Sequence, residues 1–199
     1  MEIRKSIWLL AVVGALAVMA VSAAAASAAP HWYSEGVRIP EGESVKVLTS
    51  SANLELIDEE AGAVLECSVI DAGTIVNPVG GGAGEDEITA FVNPECGLTG
   101  CPAGAAGTEA EGFNWHSQLF VDPAGEVRDL IAGIEITVFC GPFRVGHYAG
   151  SLSPQIEGSD AVFDESAGFL ESDNGTPGIV NGADHIEGLA GEVITVQNP

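Results

Sequence analysis

Val145 to Ile156 (VGHYAGSLSPQI), Ala161 to Glu171 (AVFDESAGFLE), Gly178 to Ile186 (GIVNGADHI) and Glu192 to Gln197 (EVITVQ) follow one another with Gly, Asp and Asn between them. They read as an antiparallel meander. Each run is short and apolar, and Ser172-Asp173-Asn174-Gly175 between two of them is a hairpin signal, because Asn-Gly tolerates the positive φ values of tight turns. The same wording extends upstream through Ser44 to Ser50 (SVKVLTS), Asn53 to Ile57 (NLELI), Val64 to Ile70 (VLECSVI), Glu87 to Val92 (EITAFV), Phe113 to Val121 (FNWHSQLFV) and Ile134 to Cys140 (IEITVFC). In a strand, alternate side chains share a face. Leu65, Cys67 and Val69 therefore point one way, as do Ile134, Ile136, Val138 and Cys140, and Phe113, Trp115 and Leu119 do the same. A short helical turn is expected at Val127 to Ala132.

These runs predict an all-β fold, an antiparallel β-barrel or a two-sheet β-sandwich of about eight to ten strands, stapled by disulfides. The terminal meander favours the barrel, which would leave no free edge and could enclose a small apolar ligand.

The 199 residues carry 29 Asp and Glu against 6 Lys and Arg, a formal net charge of −23, with 46% hydrophobic residues. So large an apolar share argues for a folded core rather than an acidic disordered chain. So few bases exclude nucleic acid and anionic membrane surfaces as partners, since both need clustered Lys and Arg.

Arg4 and Lys5, the apolar run Ile7 to Val21 and the small-residue site Ala26-Ser27-Ala28 predict a secretory signal peptide over residues 1–28, leaving a single β-rich domain over 29–199 and no stable membrane span. Secretion into an extracellular or cell-envelope setting makes the four cysteines a disulfide framework with three possible pairings. Cys96 and Cys101 flank the flexible Gly97 to Gly100 and are expected to pair. Cys67 and Cys140, each on an apolar strand phase, are expected to join across the core. Zinc is a weak rival, as C-x4-C lacks a second close ligand pair.

Gly80-Gly81-Gly82-Ala83-Gly84 resembles a phosphate loop only superficially, for Glu85-Asp86-Glu87 follows where a Lys is needed. Those three acids are the candidates for a divalent cation, with Asp58 to Glu60 and Glu171 to Asp173 beside them. None has the spacing of a dedicated Ca²⁺ loop, so diffuse attraction is expected and no cofactor is implied. His31 would suit copper only at the mature N-terminus, which cleavage after Ala28 does not produce. His147 reads as an interior histidine. Trp115 reads as core; Trp32 and Tyr33, outside any strong strand, are the candidate ligand-contact residues. No G-x-S-x-G elbow occurs, and no catalytic residue is assigned.

His31-Trp32-Tyr33, Gly36 to Pro40, Asp71 to Asn77-Pro78, the Gly80 to Ile88 loop and Gly146 to Leu152 resemble the small exported β-rich proteins of actinobacteria, a group with no assigned function. The resemblance implies an exported, disulfide-bonded context and carries over no site residue. The expected function is a non-enzymatic secreted or envelope-associated domain whose partner is a small apolar ligand or an extracellular polymer. An extracellular polysaccharide-directed hydrolase using a carboxylate pair is the alternative.

Overall fold

The computed structural model describes residues 29–198; the expected signal peptide lies outside them. Fourteen strands follow in order: β1 (His31–Ser34), β2 (Val37–Arg38), β3 (Ser44–Asp58), β4 (Ala63–Val76), β5 (Glu85–Leu98), β6 (Ala106–Glu111), β7 (Trp115–Val121), β8 (Val127–Cys140), β9 (Phe143–Leu152), β10 (Gln155–Glu157), β11 (Asp160–Phe163), β12 (Leu170–Ser172), β13 (Pro177–Gly188) and β14 (Ile194–Gln197). A single 3-10 turn, Glu165–Ala167, separates β11 from β12. Val127 to Ala132, expected as a helical turn, is the start of β8. Its alternation of Asp129 and Ile131 inward with Leu130 and Ala132 outward is a strand period.

Eight strands, β3-β4-β5-β7-β8-β9-β12-β13, close into an antiparallel barrel when β13 returns to β3 with Ile179 opposite Ile57 and Gly188 opposite Val47. Closure decides barrel over sandwich, because it leaves neither β3 nor β13 with an unpaired edge. Two short pieces complete the wall. β7 covers β8 only from Val127 to Ala132, and β6 takes over from Glu135 to Cys140. β10 and β11 bridge β8 to β13.

Strands this long must bend to close, and their register slips where they do. At the slip between β3 and β13, Gly182 has φ +132, and a Cβ there would lie 2.9 Å from the Asn53 carbonyl oxygen. Pro94 sits within β5 at another slip, opposite the Ser68 to Ile70 step of β4, where its missing N–H breaks no ladder bond. β5 therefore continues through Pro94 to Leu98.

That continuation overturns the expected disulfides. Cys96 stands directly opposite Cys67 on the neighbouring strand and bonds to it (Cα–Cα 4.2 Å), and Cys101 bonds to Cys140 (Cα–Cα 5.8 Å). The expected pairs Cys67–Cys140 and Cys96–Cys101 do not form. A strand ending at Pro94 would leave Cys96 in a loop with Cys101; in a strand that runs on, Cys96 is fixed beside Cys67.

A three-stranded sheet, β14-β1-β2, lies over one end of the barrel. It is held by Asn77, which is fully buried: its Oδ1 accepts from the Trp32 N–H at 2.8 Å, and its Nδ2 donates to the carbonyls of Trp32 (2.9 Å) and Ile39 (2.8 Å). Trp32, 1% exposed, fits because Gly84 has no side chain, a Cβ there falling 2.6 Å from the indole Cδ1. Asn77→Ala strands the buried Trp32 N–H and the Ile39 carbonyl, while the Trp32 carbonyl keeps the Ile39 N–H at 3.1 Å, and should lower stability by about 3 kcal/mol. A urea melt, read beside acrylamide quenching of the loosened Trp32, checks it.

The opposite end is tied by Asp58. Its carboxylate accepts from Thr176 Oγ1 (2.6 Å), Tyr148 Oη (3.1 Å) and the Ala61 N–H (2.9 Å), linking β3 to β9 and to the β12–β13 turn.

A candidate site in the barrel lumen

Alternation fills the lumen mainly with aliphatic and aromatic side chains, as a small barrel requires. Near the capped end it also delivers acids. Asp71 follows Leu65, Cys67 and Val69 on the inward phase of β4; Asp129 precedes Ile131 on β8; Asp184 lies between Val180 and Ile186 on β13; Asp86 precedes Ile88 on β5. Thr49 on β3 is opposite Asp71, and Ser117 on β7 is opposite Asp86. Six polar side chains from six strands thus form one tier.

The tier is short of partners. Ser117 Oγ donates to Asp129 Oδ1 at 2.6 Å. Asp86 and Asp129 lie within hydrogen-bonding reach of each other, which requires a proton between them. One oxygen each of Asp86 and Asp184 has no hydrogen-bond partner. Burial, reinforced by the neighbouring Asp86 charge, pushes the Asp71 carboxyl up to about 6. Burial together with Asp71 pushes Asp184 up to about 7. Asp86 is raised well above the usual carboxylate range by burial and then by Asp129, and burial raises Asp129 also.

Among the described residues no Lys or Arg side chain offsets them. Among the described residues the Lys and Arg side chains are Arg38, Lys46, Arg128 and Arg144. Arg128 is buried but points outward from β8, to Asp122 Oδ2 (2.9 Å), the Ser153 carbonyl and Ser166 Oγ. Arg38 and Arg144 pair with Glu41 and Asp173 at the surface, and Lys46 is exposed.

Beyond the acids the lumen is apolar and incompletely filled. A cavity of about 50 Å³ is lined by Trp32, Thr49, Asp71, Asp86, Asp129 and Asp184. One of about 70 Å³ adjoins it, sharing Asp71, Ile131, Phe163 and Asp184 and adding Trp115, Ile134 and Leu152. A third, of about 40 Å³, shares Leu54, Phe91, Ile136, Leu170 and Val180 with the second and reaches Leu65 and Cys67. The three form a row from the acid tier toward the far end.

The structure separates the residues singled out in the sequence. Glu85, Asp86 and Glu87 do not converge: Asp86 turns inward, whereas Glu85 is exposed and Glu87 bonds Asn114. Among the described residues no three acidic, His or Cys side chains come together to hold a metal ion. Trp32, expected as a surface contact, is instead the buried plug of the lumen, because the Asn77 bonds make His31 to Ser34 a strand; Tyr33 faces away and is half-buried. His147, expected in the interior, is half-buried on the phase opposite the inward Tyr148, where it bonds Thr137 Oγ1 (3.1 Å). Asp71, Asp129 and Asp184 are not among the sequence candidates, although each occupies an apolar phase of its strand, the one signal that could have found them.

Among the described residues no helix is long and apolar enough to cross a membrane. Comparison with protein families, with curated proteins and with solved structures finds no match.

Proposed function

We propose that this is a secreted, non-enzymatic binding protein that takes a slender apolar molecule into its barrel. The row of three adjoining cavities carries the reading. Protein interiors pack to crystal density with few voids larger than a water molecule, and an eight-stranded barrel either fills its interior or holds one small ligand. An apolar void forfeits dispersion contacts on every lining atom, so filling it with hydrocarbon is favourable. Each cavity is smaller than the roughly 150 Å³ that admits benzene. A straight chain running through all three suits the space, and a ring does not. The two disulfides suit an oxidising compartment outside the cell.

The test is a titration of the oxidised protein with 1-hexanol and cyclohexanol, followed by Trp115 fluorescence and by methyl shifts of Ile136 and Leu170. Saturable binding of hexanol, weaker binding of cyclohexanol, and loss of both in Val180→Phe with the melting temperature kept are expected. Failure of hexanol to saturate would overturn the proposal.

A polysaccharide-directed hydrolase is the second reading, favoured by an outer cleft of about 550 Å³ lined by Glu59, Asp164 and Glu165. Sugar rings would reach acids there and not in the lumen. Release of reducing ends from an extracellular polysaccharide, lost in Glu165→Gln, would make it the leading function.

A further inference from the structure

We infer that the molecule held in the lumen carries a protonated amine, whose ammonium docks among Asp71, Asp86, Asp129 and Asp184 while its hydrocarbon tail occupies the apolar cavities. This rests on the lumen-binding reading above and adds the chemical class of the ligand. Four acids from four strands converge on one cavity that no Lys or Arg among the described residues enters. Buried carboxylates are ordinarily paired or bound to a metal. Among the described residues no three come together as metal ligands.

What the cavity lacks is a donor. Asp184 is 6% exposed, lines both the acid cavity and the apolar one beside it, and leaves Oδ1 without a partner. Asp86 Oδ1 is likewise unpartnered. An ammonium offers three N–H donors and no acceptor. A carboxylate head would be repelled, and a hydroxyl brings one donor and no charge. The shared walls, Asp71, Ile131, Phe163 and Asp184, put head and tail of one molecule in contact with both cavities.

Protons compete for the same oxygens. The other titratable groups near the tier are Glu87, which lines the cavity, and His116, on the outward phase of β7. Burial already raises the tier aspartates toward neutral pH, so an ammonium must displace protons from them. Affinity should therefore fall at least tenfold between pH 8 and pH 5, as those carboxylates protonate.

The experiment is calorimetric titration of the oxidised protein with hexylamine, 1-hexanol and hexanoate at pH 8, in salt of roughly 0.3 M to screen the acidic exterior. Hexylammonium is expected to bind saturably and about tenfold or more tighter than hexanol, one ion pair's worth of preference, with no saturable binding of hexanoate. Asp184→Asn should abolish the preference for the amine over the alcohol, bringing the two affinities together. Equal binding of amine and alcohol by the unaltered protein would overturn the amine inference and leave lumen binding standing. An amine preference that survives both Asp184→Asn and Asp71→Asn would place the amine elsewhere and also overturn it. Saturation by neither amine nor alcohol would overturn the lumen reading itself.

Discussion

Asp184→Asn should melt about 10 °C above the unaltered protein at pH 8 and only about 3 °C above it at pH 4.5. The Asp184 carboxyl titrates near 7 in the fold and near 3.8 when free, because burial and the Asp71 charge oppose its ionisation. Every tenfold gain in proton affinity on folding corresponds to about 1.4 kcal/mol, so ionising this group at pH 8 costs the fold on the order of 4 kcal/mol. Asp71, raised to about 6, costs on the order of 3 kcal/mol in the same way. The two charges act on each other, so the double variant should gain less than the sum. Between the free and folded values the native state binds more protons than the unfolded chain. Stability is therefore full below the ordinary carboxylate value and is lost as pH rises through 6 and 7. Asp58 works the other way. Burial would raise it, but donation from Thr176, Ala61 and Tyr148 outweighs burial and holds its carboxyl low, so its contribution is present above the usual carboxylate range and is lost as pH falls through its depressed value. The stability maximum should fall near pH 5. Thermal melts from pH 4 to 9 measure it, with Glu43→Gln as the control for general self-repulsion, since Glu43 is exposed. An equal rise in that control would show that net charge, and not the lumen, sets the trend.

The all-β strand content was legible because its signal is local. Turn residues and alternation in GIVNGADHI or IEITVFC need no knowledge of the partner strand, and the first three runs of the expected terminal meander are neighbours, but Glu192 to Gln197 leaves it: β14 pairs with β1 and not with β13. Closure was not legible, since the pairing of β13 with β3 joins residues about as far apart as the domain allows. The cysteines failed for a specific reason: Pro94 reads as a terminator, yet at a register slip it costs no hydrogen bond. The cap failed for another. Trp32 has no strand wording around it, and its burial comes from Asn77 and Gly84, both in segments that read as turns. The acid tier fell between the two cases. Asp86 stands out as one of three consecutive acids, while Asp71, Asp129 and Asp184 stand singly in apolar phases, where period and residue type contradict each other. Such a contradiction marks a site more sharply than a run of acids on a chain of net charge −23.

Complete reduction of the disulfides should bring the domain close to unfolding. In the chain-entropy description, the Cys67–Cys96 bond spans 29 residues and Cys101–Cys140 spans 39, so each confines the unfolded chain by roughly 4 kcal/mol. Domains of this size typically have about 5 to 15 kcal/mol in hand, so losing both removes most of the margin. The two bonds should not behave alike. Cys67 is buried on the lumen wall beside Leu65 and Val69, leaving only its partner Cys96 partly exposed, whereas Cys101 and Cys140 are both partly exposed. A mild reductant should open Cys101–Cys140 first, freeing β6 from the end of β8 while the barrel stays closed. Cys67–Cys96 should resist until the barrel opens. Cys101→Ser with Cys140→Ser should therefore lower the guanidinium midpoint and leave hexanol binding intact. Cys67→Ala with Cys96→Ala should lower it and also change binding, because the removed sulfur enlarges the far cavity that Cys67 lines. Denaturant melts with and without reductant, together with non-reducing peptide maps, measure both effects. A midpoint unmoved by complete reduction would show that barrel closure alone holds the chain, and a Cys67–Cys140 peptide would refute the strand register of β4 and β5.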